Sequence, residues 1–295
     1  MKKSVLTMVA LALFSSTAVY AQAVNLQGSS SSDNVTVAAS NFPPLVRPLG
    51  YAGLEMLRAD GTARSGSVDI FGGPVKQVTD NAAANSAEAH YAPFPLIRSI
   101  KIAQVWRNDQ HNAANVYSVR QITTLPLETW PQFGGLVIGQ VKETARGNGV
   151  YFGEWSKAVG SPSSGDSTDL NMADASRTVW YAGDNAVASM PTLVAANYDV
   201  VGIRQTGVDG NLPHAPNLYS GMLTANYSGG NGSISGSITR GTDAVDFAGT
   251  RIFSNGEFSN DSTISGRFYN DAAALAGIYK GAAAADHVAF GGKRL

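Results

Sequence analysis

The last sixty or so residues constrain the fold of this chain most. They run Gly232-Ser233-Ile234-Ser235-Gly236-Ser237-Ile238-Thr239, then Thr263-Ile264-Ser265-Gly266-Arg267-Phe268-Tyr269, and close on Val288-Ala289-Phe290-Gly291-Gly292. Apolar and small polar residues alternate with period two, which is the signature of strands with one face buried. Ile234, Gly236 and Ile238 share a face, as do Ile264, Gly266 and Phe268. Small residues alternating with large ones suit the interior of a small barrel. Turn chemistry separates the runs at Ser228-Gly229-Gly230-Asn231, Arg240-Gly241-Thr242-Asp243 and Asn255-Gly256, and Asn-Gly is the strongest hairpin signal among them. Strands are expected near 195–203, 217–227, 232–239, 244–249, 263–269, 273–279 and 286–290. A short piece near Gly256–Ser259 makes eight.

Upstream the pattern is less regular but still β-rich. Ile97–Trp106 and Asn115–Ile122 read as a hairpin with a polar tip at Asn108–Asn112. Gly134–Lys142, Gly149–Trp155 and Arg177–Gly183 are apolar or aromatic runs of strand length. Gly50–Arg58 fits a short strand or a single helical turn. Alanine-rich Ala82–Ala89 reads as a short helix capped by Asp80 or Asn81. Gly28–Ser32 is expected to fray, and Phe42-Pro43-Pro44-Leu45 to run extended.

The N-terminus carries Lys2-Lys3, an apolar run from Val5 to Phe14, and small residues up to Ala21 or Ala23. That is the form of a secretory signal, with an apolar run too short to span a bilayer. The expected organisation is a signal peptide over 1–23, a β-rich ligand-binding, handle-like domain over 24–191, and a C-terminal β-barrel over 192–295. The fold class is all-β: an irregular N-terminal domain followed by an eight-stranded antiparallel barrel.

The chain has no cysteine, so stability must come from burial rather than disulfides. The same absence removes the attachment site for a lipid anchor, and a protein secreted free of the membrane is expected. The net charge is −1, without the basic footprint of a nucleic-acid binder. No Gly-x-Ser-x-Gly elbow, His-Glu-x-x-His helix or phosphate loop is present. Glu154 and Asp184 stand as isolated acids, so an enzyme is not expected.

The barrel segment resembles the C-terminal barrel of the transferrin-binding protein B family. The resemblance rests on Ile234-Ser235-Gly236, Ser265-Gly266-Arg267-Phe268-Tyr269, the alanine-rich run Asp271–Gly277, and Phe290-Gly291-Gly292-Lys293-Arg294. Asn270 stands where that family places a glycine. Further upstream, Val150-Tyr151-Phe152-Gly153-Glu154-Trp155, Val179-Trp180-Tyr181-Ala182-Gly183-Asp184 and Ala196–Ile203 look like the hemophilin group of hemophores. Together these pieces cover the last half to two-thirds of the chain.

The resemblance implies a haem-binding protein (iron protoporphyrin IX) in iron acquisition. It implies capture of haem from host haemoproteins, delivery to an outer-membrane haem receptor, and export through an outer-membrane translocator of the surface lipoprotein assembly modulator type. The alternative is a secreted or surface-associated binder of a host protein, acting in colonisation or immune evasion.

Without a thiolate, histidine is the usual haem-iron ligand. His111, at the hairpin tip between Trp106 and Tyr117, and His90, beside Tyr91, Pro93 and Phe94, are the candidate iron ligands. Tyr91, Tyr117 and Trp106 are the candidate pocket residues around them. Solvent-facing loop histidines are the competing reading of both. His214, between Pro213 and Pro216, reads as a linker residue and His287 as structural.

Overall fold

A computed structural model of the chain describes residues 25–42, 49–58, 64–94, 97–123, 131–158, 167–260 and 262–295. The N-terminal part runs β1 (Gln27–Ser30), β2 (Val35–Ala39), β3 (Ala52–Met56), β4 (Val68–Asp69), a turn at Phe71–Val75, α1 (Lys76–Asn81), β5 (His90–Phe94), β6 (Ile97–Asn108), β7 (Ala114–Gln121), β8 (Gly135–Val141), β9 (Val150–Ser156) and β10 (Thr178–Gly183). The C-terminal part runs β11 (Leu193–Ile203), β12 (Tyr219–Ser228), β13 (Asn231–Arg240), β14 (Asp243–Asp246), β15 (Thr250–Ile252), β16 (Glu257–Ser259), β17 (Ile264–Tyr269), β18 (Ala274–Tyr279) and β19 (Val288–Arg294).

The C-terminal strands follow the order β12-β11-β19-β18-β17-β16-β15-β13, and β12 pairs with β13 to close the ring. This is an eight-stranded antiparallel barrel, with β14 as an added flap on the far half of β13. Closure leaves no free edge in the ring itself. The interior is filled by side chains. The rings of Phe247 and Phe290 meet edge-on at 5.0 Å, and those of Phe258 and Phe268 at 5.4 Å. The small-and-large alternation has a direct cause: a Cβ on Gly266 would lie 2.3 Å from the Phe258 ring.

The N-terminal strands form a seven-stranded antiparallel sheet in the order β1-β10-β9-β8-β7-β6-β5, and β2, β3 and β4 make a small sheet of their own. Cross-strand register sorts the large sheet into two faces. Val105, Val119, Leu136 and Trp155 lie opposite one another on one face and bury against the small sheet and α1. Trp106, Val137 and Val179 lie on the other face and bury with barrel residues such as Ala276, Ile278 and Ala289. The large sheet is therefore the middle layer of the molecule, apolar on both sides. That explains why β8, β9 and β10 are buried at every position.

Three local expectations are corrected. Gly28–Ser32 does not fray along its length, because Gln27–Ser30 pairs with Gly183–Trp180 of β10. The undecided stretch at 50–58 is strand β3. The helix lies at Lys76–Asn81, and the alanine-rich segment after it is not helical. Val75 and Val78 anchor this turn in the core, whereas alanines bring little apolar surface to bury, and a short helix is held by burial rather than propensity. The expected extended backbone at Pro43–Pro44 lies outside the described residues.

Asn270 has φ +54° and is followed by Asp271 and Ala272 at +53° and +64°. Three consecutive left-handed residues make the β17–β18 turn. Asparagine tolerates that conformation better than most side chains, so the turn needs no glycine at this position. Its amide also donates to the Asn148 carbonyl at 2.9 Å, across to the β8–β9 turn.

Candidate functional site

The two parts of the molecule are joined by chemistry that the sequence does not advertise. Glu154 on β9 is fully buried. Its Oε2 accepts from Arg177 Nε at 2.7 Å and Nη2 at 2.6 Å. The same carboxylate accepts the backbone amides of Gln205 and Thr206, at 2.8 and 2.7 Å, in the loop after β11. Arg177 then donates to the carbonyls of Ala284 and His287, both at 3.0 Å. One ion pair thus ties the middle sheet to two separate barrel loops.

Asp184 does similar work on the other side. It accepts the amides of Ala52 at 2.6 Å, Gly147 at 2.9 Å and Gly149 at 3.2 Å. Burial pushes its carboxyl above the ordinary range, against the pull of those three amides. Both residues looked like isolated acids in sequence because their partners are mostly backbone groups, which have no sequence signature.

Packing reinforces the joint. The Phe152 ring of the sheet sits on barrel Gly291, where a Cβ would come within 2.4 Å of it. The Tyr269 ring of the barrel sits on Gly183 of the sheet, where a Cβ would come within 2.3 Å. Lys293 pairs with Glu143 beside them. The terminal Gly-Gly-Lys string is therefore the seam between barrel and sheet.

Away from the seam, the sheet ends at β5. This strand pairs with β6 on one side and, among the described strands, with none on the other. At the same end Ile100 stands 41% exposed. A cavity of about 110 Å³ lies against the face carrying Ala92, Ala103, Val119 and Leu136, roofed by Met56 and Pro74. Its polar lining is limited to Gln77 and Gln121, and no histidine faces it. It is smaller than the roughly 300–1,000 Å³ typical of pockets for drug-sized ligands.

The sequence-chosen residues fall at different places on this sheet. His90 lies opposite Val105 on β5, and Tyr91 lies opposite Gln104, on the other face. Lys101 lies over the Tyr91 ring at 4.5 Å. Tyr117 lies opposite Arg107, on the His90 face, and Trp106 lies opposite Ser118, on the barrel face. Trp106 is 1% exposed and Tyr117 4% exposed, both within hydrophobic clusters. Burial raises the Tyr117 hydroxyl pKa.

His111 is half-buried at the β6–β7 tip. Its pKa is lowered, first by burial and then by Lys142, with Asp199 of β11 opposing. Among the described residues, no group of three or more His, Cys, Asp or Glu is placed to hold a metal ion. The buried acids serve the joints between layers.

No protein-family model matches the chain. Among solved structures it is similar to transferrin binding protein B from Haemophilus parasuis Hp5. A double mutant of that protein matches with a TM-score of 0.27 and 13% identity over 70% of this chain and 47% of the other. A single mutant matches with a TM-score of 0.26 and 10% identity over 85% and 62%. The chain thus spans about half to three-fifths of the structures it resembles.

One expectation is corrected here. Secretion free of any lipid anchor was inferred from the absence of cysteine, but transferrin binding protein B is a lipid-anchored protein of the outer-membrane surface. Free release is not retained for this chain. The residues on which it rested, 1–24, lie outside those described.

Proposed function

We propose that this chain is a non-catalytic binding protein of the bacterial exterior that engages a host protein in the service of iron acquisition. The observation that carries the reading is the open end of the seven-stranded sheet. Edge strand β5, exposed Ile100 and the apolar cavity lie together there. Along His90–Ala92 this edge has no second strand partner among the described residues, so it offers backbone hydrogen bonds to an incoming extended segment, and the adjacent apolar hollow accepts its side chains. An outer-membrane receptor or translocator completes the reading as the bacterial partner.

The test is capture from host serum on immobilised protein, with transferrin offered separately as the partner named for the resembling structures. Retention of one protein, lost when Ile100→Asp puts a charge at the sheet end, supports the proposal. Failure to retain any serum protein, or equal retention by Ile100→Asp, overturns it.

Haem binding is the second reading, and one observation favours it. Burial, and then Lys142, lower the His111 pKa and so favour neutral imidazole, the metal-ligating form. Haem would be held there through iron coordination by His111 and burial of the macrocycle. Titration of the protein with haemin should give a Soret band that His111→Ala shifts or weakens. Absence of a band removes this reading and leaves the first intact.

A further inference from the structure

A second hollow lies on the opposite flank of the molecule, between β1 of the sheet and β15–β17 of the barrel, with a volume of about 280 Å³. One wall is Gln27, Gly28 and Ser29 with Tyr181 behind them. The other is Phe253, Glu257, Ser259, Ser265 and Arg267. Unlike the cavity near β5, it is lined mainly by hydroxyl, amide and charged groups. Phe253 is 41% exposed.

The charges in this cleft are already matched. Arg267 Nη2 pairs with the Glu257 carboxylate, and Nη1 donates to the Asn255 carbonyl at 3.0 Å. The guanidinium is mostly spent, so a free anion gains little here. Glu257 is half-exposed and keeps lone pairs for incoming O–H donors. Burial pushes the Tyr181 hydroxyl up to about 12, so the cleft's phenol stays protonated and can both donate and accept. Ser29, Ser259 and Ser265 add hydroxyls of the same kind.

A neutral ligand rich in hydroxyls and carrying a flat C–H face satisfies all of this. Its hydroxyls take Glu257, the serines and Tyr181. Its C–H face, of slightly positive charge, lies on the electron-rich face of Phe253. We propose that this cleft is a binding site for a neutral hexose unit of a glycan. The proposal rests on the cleft alone and stands whether or not the β5 end takes a host protein.

The experiment is binding of the full chain to an array of neutral and sialylated glycans. It is followed by NMR titration with galactose, glucose, mannose and their N-acetylamino forms. The expected result is weak binding of one neutral hexose, about millimolar for the single sugar. Phe253→Ala, which removes the stacking face, and Ser29→Tyr, which fills the mouth, should each weaken it at least about tenfold. Both positions are exposed, so circular dichroism should be unchanged. Binding by free sugar and glycoprotein alike assigns the hexose itself as the ligand. Binding confined to sialylated glycans, no binding to any member, or binding indifferent to both variants overturns the proposal. Serum capture by the Phe253→Ala protein separates this outcome from that of the β5 end.

Discussion

Replacing Arg177 by Met tests whether one buried ion pair holds the two parts of the molecule together. Arg177 is 4% exposed and Glu154 0%. Arg177→Met leaves the Glu154 carboxylate buried with only the Gln205 and Thr206 amides for company. Removing one partner of a buried pair costs about 3–5 kcal/mol. At about 2–4 °C per kcal/mol for a chain of this order, the melting temperature should fall by something on the order of 10 °C.

The double variant Glu154→Leu/Arg177→Met removes both charges and should recover part of that loss. Recovery is incomplete because the Thr206 amide sits in a fully buried residue and loses its acceptor, at about 1–3 kcal/mol. The carbonyls of Ala284 and His287 lie nearer the surface and can turn to water. The assay is calorimetry alongside urea unfolding, followed by tryptophan fluorescence through buried Trp155 and Trp180. Arg177→Met should be the least stable of the set, with its calorimetric peak splitting as barrel and sheet separate. A loss below about 1 kcal/mol for Arg177→Met, or a double variant worse than the single one, would refute the reasoning.

Two further outcomes follow from the same geometry. Gly291→Ala pushes a methyl into the Phe152 ring and should cost about 1–3 kcal/mol as overpacking, whereas Gly241→Ala, at an open turn with φ +60°, meets no atom and should cost only the backbone strain of about 1 kcal/mol; paired urea melts compare them. His111 and His287 both titrate below the ordinary imidazole value of 6.5 in the folded chain. The unfolded chain therefore binds more protons in the window just below 6.5, and stability present above it is lost as pH falls through the folded values. His111→Gln should flatten part of that slope in urea melts taken between neutral and mildly acidic pH.

Much of the barrel is legible in the residues themselves. Alternation, turn glycines and the Asn255-Gly256 hairpin signal depend on neighbours along the chain, and they mark strands and turns wherever the chain places them. The small-large alternation of Ile264, Gly266 and Phe268 likewise announces an interior. The upstream sheet is legible as strands but not as a middle layer. Its continuous apolar runs look the same whether one face or both are buried.

The candidate residues show where sequence reading stops. His90 and Tyr91 are adjacent, so they read as one cluster, yet a strand sends neighbours to opposite faces. Trp106 and Tyr117 flank His111 in sequence, but register sends one toward the barrel and the other toward the small sheet. The helix was misplaced by several residues because alanine content reports propensity, whereas Val75 and Val78 report burial.

What the sequence determined by itself is the all-β class, the closed barrel and the absence of any disulfide. Each follows from short-range pattern or residue type. Only the tertiary structure decided the roles of Glu154, Arg177 and Asp184, the open β5 end, and the cleft at Phe253. These depend on backbone amides and surfaces brought together from segments as far apart as Gln27 and Arg267, and no local pattern carries that information.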